Sequence, residues 1–212
     1  MSRTRMLSAL VLRTYDVGEA DRFCVLLTSE EGKLTARAPG VRRLTSRMGA
    51  ALIPFTEVKL QVRESSAGRY VTSAQRPDEA EPLPLSAFGQ ASEGIEFLLR
   101  LLQDGEATEG VFPLTMEFIA ACRVGIGDAV TRFGLRLLSL LGLLPVQEHF
   151  KNPESFSRED LYFLQIVRQP VDERLWSEET VVTPRLRSLF TLLIQEHLLS
   201  PLKATGVSQY LQ

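Results

Sequence analysis

Two cysteines and two histidines among 212 residues leave little from which to assemble a metal centre or a redox pair. Cys24 and Cys122 stand 98 positions apart, which offers neither a CxxC motif nor four zinc ligands. Both are expected as buried thiols, and so sparse a use of cysteine suits a reducing cytoplasm. Long apolar runs are missing too: the densest, residues 137–146, falls far short of the roughly 18 residues that a membrane span needs. At the N-terminus Arg3 and Arg5 precede an apolar stretch that stops at Arg13 without a small-residue cleavage site. That stretch reads as a first strand rather than a leader, and the chain is expected to be soluble, with no membrane partner.

The side-chain sets of catalysis are equally scarce. No GxxxxGKS/T phosphate loop occurs, and Gly125-Ile126-Gly127 lacks the further glycine of a dinucleotide fingerprint and lies between helices. His149 falls in an interhelical connection; His197 lies on the apolar stripe of the last helix, where it reads as a core residue. The acidic pairs Glu30-Glu31, Asp78-Glu79 and Glu178-Glu179 occupy turns or a helix start, where solvation or dipole compensation accounts for them. No catalytic residue, cofactor or metal ligand is assigned, and no enzyme is expected.

What the chain does have is material for a core and a lopsided charge. With 44% hydrophobic and 24% charged residues it can bury one large or two small domains. The net charge of −2 conceals +4 over residues 1–80 and −6 over the remainder. Between Gly32 and Arg76 nine basic residues face only Glu57 and Glu64, a local excess of +7. That end is built for an anionic partner.

Five segments rich in β-branched and apolar residues, 6–12, 22–28, 33–38, 50–63 and 69–74, are separated by turn chemistry at Asp16-Val17-Gly18, Ser29-Glu30-Glu31-Gly32, Pro39-Gly40 and Ser65-Ser66-Ala67-Gly68. Five short strands in so short a stretch predict an OB-type barrel over residues 1–76. The proline-rich, acidic residues 77–84 break the pattern and read as a linker. The rest, 85–212, reads as an all-α domain of five helices. Leu98, Leu101 and Leu102 stripe the first; residues 112–122 and 129–144 form the second and third. Ser157-Arg158-Glu159-Asp160 has capping-box spacing, and Thr183-Pro184 starts a fifth helix that buries Leu186, Leu189, Phe190, Leu193, Ile194, His197 and Leu198. The fold class is thus α+β and multidomain: a five-stranded β-barrel followed by a helical domain. No repeat supports a solenoid.

Gly40-Val41-Arg42-Arg43-Leu44-Thr45-Ser46-Arg47 packs three arginines and two hydroxyls between two strands, the combination that binds phosphate backbones. Alone it could be a solvated loop. Lys59 and Arg63 on one face of the following strand, and Arg69 at the start of the next, make a continuous basic face the better account. Arg42, Arg43, Ser46, Arg47, Lys59, Arg63 and Arg69 are the candidate binding residues. The barrel region has only Tyr15, Phe23, Phe55 and Tyr70 as aromatics, some of them needed for the core, so binding is expected to be electrostatic and salt-sensitive rather than built on stacking. On the third helix, Arg132 and Arg136 beside Leu135 form a candidate dock for an acidic, apolar peptide. The residues alone leave three readings open: a DNA binder, an RNA-binding OB module with a helical adaptor, and an interaction protein whose basic face meets an acidic partner.

Residues 10–22, running Leu-Val-Leu-Arg-Thr-Tyr-Asp-Val-Gly-Glu-Ala-Asp-Arg, together with Leu26-Leu27-Thr28, Gly32-Lys33-Leu34, Gly40-Val41-Arg42-Arg43, Ser46-Arg47 and Leu52-Ile53-Pro54-Phe55, resemble the start of the RecO family of recombination mediators. Arg132-Phe133 leading into Leu137-Leu138 and Leu141-Gly142 resembles that family's helix, and Pro201-Leu202-Lys203 its C-terminal tail. The resemblance implies an OB-fold and a helical domain that bind single- and double-stranded DNA and anneal complementary strands without ATP. It also implies help in loading recombinase onto coated strands during DNA repair, in the cytoplasm and at the nucleoid. The implied partners are RecR and the acidic C-terminal tail of single-stranded DNA-binding protein, with recombinase engaged indirectly. Many members carry four cysteines after the third helix; residues 145–157 here contain none, so no zinc module is expected.

Overall fold

A computed structural model describes residues 3–77, 83–146, 150, 153–169 and 172–199. His149, Pro201, Leu202 and Lys203, and the middle of the expected linker, lie outside the described residues. The chain divides into two compact units. Among the described residues no helix is long and apolar enough to cross a membrane.

The first unit is a closed barrel of five strands, β1 (Arg3–Val17), β2 (Asp21–Thr28), β3 (Gly32–Ala38), β4 (Glu57–Ser65) and β5 (Gly68–Gln75), in the order β1-β2-β3-β5-β4. It is the OB-type barrel expected from the strand spacing. Strand β1 serves two neighbours: Arg3 to Leu10 pair with β4 and Ala9 to Val17 with β2. A register shift between Val11 and Arg13 bends it from one partner to the other. Closure is completed by a parallel contact of β3 with β5 at Arg37 and Tyr70. Alternate residues point inward, so Leu7, Ala9 and Val11 meet Leu26, Leu34, Val58, Leu60 and Val71 in one core, with Ala36, Ala38 and Ala74 filling the narrow places.

Two expectations change here. Strand β4 starts at Glu57, not at residue 50. Pro54 cannot donate to a ladder, Phe55 has φ 64°, and the amides of Ala51 and Leu52 turn back onto the Met48 carbonyl. These apolar residues are loop residues folded into the core rather than strand. Leu102 lies beyond the first helix, and the segment Leu102–Ala107 belongs to the barrel unit. The Gly105 amide donates to the Lys33 carbonyl at 2.7 Å, and the Lys33 ammonium pairs with Asp104 at 3.2 Å. Gly32 sits so close beneath this strap that a Cβ there would be 2.1 Å from the Glu106 carbonyl oxygen.

The second unit holds α1 (Phe88–Leu101), α2 (Val111–Val124), α3 (Ala129–Leu140), α4 (Arg158–Arg168) and α5 (Pro184–Leu199) among its described residues. Helix α3 is its centre: Thr131 through Leu138 are all buried. It stops at Leu140 rather than at residue 144, because Gly142 turns the chain at φ 70° and the amides of Gly142 and Leu143 close back onto Ser139 and Leu138. The expected capping box forms, with the Asp160 amide donating to Ser157 Oγ at 3.2 Å and the Ser157 amide to Asp160 Oδ2 at 2.8 Å. The Thr183 hydroxyl donates to the other oxygen of Asp160 and accepts from the Leu186 amide, so one carboxylate ties the starts of α4 and α5 together. Helix α5 buries Leu186, Leu189, Phe190, Leu193 and Ile194 as its periodicity requires, with His197 and Leu198 half-buried.

Gly134 lets α3 and α5 approach: a Cβ there would lie 2.1 Å from the Phe190 ring. An exposed helical Gly→Ala change stabilises by about 1 kcal/mol. Gly134→Ala is instead expected to destabilise by about 1–3 kcal/mol through overpacking, read as a lower midpoint in urea denaturation.

Candidate nucleic-acid interface

Because β5 lies between β3 and β4, the chain leaving β3 must travel around the barrel before it can enter β4, and residues 39–56 make that journey. The loop is apolar where it touches the barrel and cationic where it leaves it. Val41, Ala51, Leu52 and Phe55 are buried, whereas Arg42, Arg43, Leu44, Thr45 and Arg47 are exposed and Ser46 is half-buried. Two tight turns shape the tip, the Arg43 amide donating to the Gly40 carbonyl at 3.1 Å and the Ser46 amide to the Arg43 carbonyl at 2.9 Å.

Two aspartates hold the base. Asp21, the first residue of β2, accepts from the Gly40 amide at 2.7 Å and from Arg37 Nε at 2.8 Å. The Gly40 N–H and the Arg37 guanidinium hold its carboxyl below the usual carboxylate range. Asp16, near the end of β1, accepts from Arg22 Nε at 2.9 Å and pairs with Arg42 at 3.3 Å, and Arg22 holds its carboxyl low in turn. Arg22 also reaches the Leu52 carbonyl at 3.3 Å, and the Arg42 amide donates to the Ala20 carbonyl at 2.9 Å. The turn between β1 and β2 therefore fixes both limbs of the loop. Asp16, Asp21 and Arg22 stand in the stretch of residues 10–22 that carries the family resemblance, where no role attaches to them, and Arg37 is marked in the sequence only as one of the basic residues after Gly32.

The seven candidate residues are not equivalent. Arg42 is tied to Asp16 and to the Gly18 carbonyl, and Arg69 pairs with Glu64 at 3.4 Å. Glu64 also receives Arg5 at 2.7 Å. Arg43 folds back over Gly40, where its charge acts on Asp21. Among the described residues no ion pair involves Arg47, Lys59 or Arg63, which are all exposed. Strand pairing sets them out: Arg63 pairs with Tyr70, and Tyr70 meets Arg37, giving a row across β4, β5 and β3 that ends two residues before the loop begins. Lys59 lies four residues back along β4 on the same outward face, opposite Ser8 and Gln75. Of the aromatics Phe55 is buried, Phe23 and Tyr70 are half-buried, and Tyr15 is the one exposed side chain.

The peptide dock placed on α3 is overturned. Leu135 is completely buried, and Arg132 and Arg136 are 5% and 4% exposed. Their partners are backbone carbonyls: Arg132 donates to Gly127 at 3.0 Å and to Leu175 and Thr180 at 2.6 Å, and Arg136 to Ile166 at 3.0 Å. Arginines four apart on a helix read as a surface pair, but α3 is enclosed on all sides, so these side chains staple the unit from within. Burial weakens the charged form of both, opposed by the fields of Asp128 on Arg132 and of Glu117 and Asp172 on Arg136.

Both cysteines are free and buried, and burial pushes their thiols up to about 12. Neither is a nucleophile at neutral pH. Among the described residues no group of His, Cys, Asp or Glu is arranged to hold a metal ion.

Comparison with known proteins agrees with the barrel's form. Residues 1–75 match the family described as Recombination protein O N terminal. The chain is 40% identical over 140 residues to the DNA repair protein RecO of Heliobacterium modesticaldum, covering 65% of this chain and 51% of that protein. It is 31% identical over 161 residues to the DNA repair protein RecO of Pelotomaculum thermopropionicum, covering 73% and 62%. With that of a Nocardioides species it shares 34% over 151 residues, covering 66% and 61%. The chain therefore spans less than two thirds of the length of the curated relatives it matches. The similarity runs well past the barrel into the helical unit, and the chain is a relative of the RecO family, to whose N-terminal domain its first 75 residues belong.

Proposed function

We propose that this protein acts in DNA repair as a non-enzymatic mediator that binds single- and double-stranded DNA through the loop of residues 39–56 and the outward face of β4. The observation that carries the reading is a braced loop whose exposed tip is cationic, on a barrel related to recombination proteins. A pinned loop presents Arg43, Ser46 and Arg47 without a large ordering cost on binding. Lys59 and Arg63 extend the positive track, while Arg42 and Arg69 contribute less because Asp16 and Glu64 already share their charge. Such a surface grips phosphates and reads little sequence. It suits annealing of complementary strands, which needs backbone charge neutralised and bases left free, with no nucleotide consumed. In this reading the barrel, residues 1–76, is the DNA-binding part and the helical part holds the partners. These are RecR and the acidic tail of single-stranded DNA-binding protein, so that recombinase is loaded onto coated strands at the nucleoid. The partner contacts lie elsewhere than at Arg132, Leu135 and Arg136.

The direct test is annealing of complementary strands without nucleotide, with and without the coating protein; an absence of any acceleration overturns the proposal. Matched RNA strands that bind more tightly than DNA would move the reading to RNA. Arg43→Gln with Arg47→Gln is expected to weaken binding to all sequences alike. The same pair should flatten the plot of log affinity against log salt by about 1.4 for single strands, two phosphate contacts being lost.

The brace is testable separately. Because the folded carboxyl of Asp21 is held low, its contribution to stability is full above the unfolded value of about 3.9 and is lost as pH falls through the folded one. Asp21→Asn is expected to destabilise the barrel by about 1–2 kcal/mol near neutral pH, the worth of charge-assisted hydrogen bonds that remain partly solvated. In urea denaturation the gap between parent and variant should narrow as the acid limb is descended.

A further inference from the structure

Leu44 is exposed as fully as in an isolated extended peptide, at the tip of the braced loop between Arg43 and Arg47. It is the second residue of the turn closed by the Ser46 amide on the Arg43 carbonyl, a place where solvated turns favour polar residues or proline. Four residues of the same loop, Val41, Ala51, Leu52 and Phe55, reach the core. Leu44 is not a failed core residue of a loose segment: both limbs of its loop are tied to the turn between β1 and β2, through Asp21, the Ala20 carbonyl and Arg22.

We infer that Leu44 is an apolar wedge that packs against the faces of nucleobases when the flanking arginines hold the backbone, parting neighbouring bases from their stack. The inference rests on the nucleic-acid reading above and adds a base contact to a surface otherwise made of phosphate contacts. An apolar side chain between two phosphate-seeking cations lies at the height of the bases along a bound strand, and aliphatic side chains are used in this way to unstack base steps. Other apolar side chains of the barrel surface are less prominent: Phe55 is buried, Phe23 and Tyr70 are half-buried, and Tyr15 and Ile53 are less than half exposed. A wedge carries no hydrogen-bond code, so it interrupts stacking without selecting sequence. That leaves a held strand with its bases apart and open to a complement.

The test uses the full chain with a single strand containing 2-aminopurine, whose emission rises when it is unstacked, and a matched strand with abasic sites. The parent should raise the emission on binding. Leu44→Ala should lose that rise and bind the intact strand about tenfold more weakly, the lower end of what burying a leucine side chain is worth. Its salt slope should be unchanged, since no charge is removed. On the abasic strand parent and variant should bind alike. Equal affinity and equal emission for the two proteins on the intact strand overturn the wedge while leaving the phosphate surface intact. A loss of affinity equal on intact and abasic strands places the effect in the loop or the backbone and overturns the base contact. Failure of the parent to bind any strand at low salt overturns the nucleic-acid reading and this inference with it. Because Leu44 makes no contribution to the core, an unchanged melting temperature for the variant shows that the comparison is between folded proteins.

Discussion

A five-stranded sheet has two edges, and closing them is the constraint from which the form of the barrel and of its loop of residues 39–56 follows. Strand β1 pairs with β4 through its first half and with β2 through its second, and β5 inserts between β4 and β3. That insertion denies β3 and β4 a tight hairpin. The connection between them must be long, and a long connection is entropically expensive to order. Here it is ordered by apolar residues drawn into the barrel and by the carboxylates of Asp16 and Asp21 at the adjacent turn. The cationic tip is thus a consequence of topology as much as of composition: the same closure that removes the sheet edges creates the projecting loop and provides the turn that braces it.

Arginine serves opposite ends in the two units, and the difference is one of surroundings. At the barrel surface the guanidinium is hydrated and available to an anion. In α3 it is enclosed, and donors in a fixed fork reach backbone carbonyls of the segments packed around it. Ile166 lies in the last turn of α4, where the helix dipole favours a cation, so Arg136 both satisfies an end carbonyl and meets a favourable field. Arg132 gathers carbonyls from Gly127, just before α3, and from Leu175 and Thr180, more than 40 residues further along the chain. Losing Arg132 would remove the donors that reach the Leu175 and Thr180 carbonyls, a larger penalty than the net worth of the bonds themselves, whereas the Ile166 carbonyl would keep the Gln169 amide if Arg136 were lost.

This contrast explains what could be read from the sequence. Strand alternation and turn residues gave the barrel almost to the residue at β2 and β3, and the Ser157 and Thr183 caps placed the starts of α4 and α5, because those signals are local. The start of β4 differs from the sequence expectation because residues 50–55 are an apolar run of which Ala51, Leu52 and Phe55 serve the core, and only Pro54 marks them as other than strand. Arg132 and Arg136 were misplaced for a complementary reason. Periodicity says which residues share a face, but α3 is buried on every face, and nothing local to it reveals the carbonyls that distant segments bring to its arginines. The loop cations were legible as a cluster; which of them were already committed depended on Asp16 and Glu64 across the sheet.

The division between committed and uncommitted charge also bears on how the surface works. The sequence excess of +7 overstates the charge available to a ligand, since Lys33, Arg37, Arg42 and Arg69 answer carboxylates, three of which lie outside that segment's own count of acids. What remains exposed and without an ion pair among the described residues of that segment is Arg43, Arg47, Lys59, Arg63 and Arg76. In the proposed role, so few uncommitted cations neutralise few phosphates, which favours a moderate salt dependence and fast release. In the proposed annealing role, where a strand is held and then surrendered to a complement, a moderate electrostatic grip is the appropriate strength. Under that proposal, tighter binding through every arginine would stabilise separated strands against the duplex.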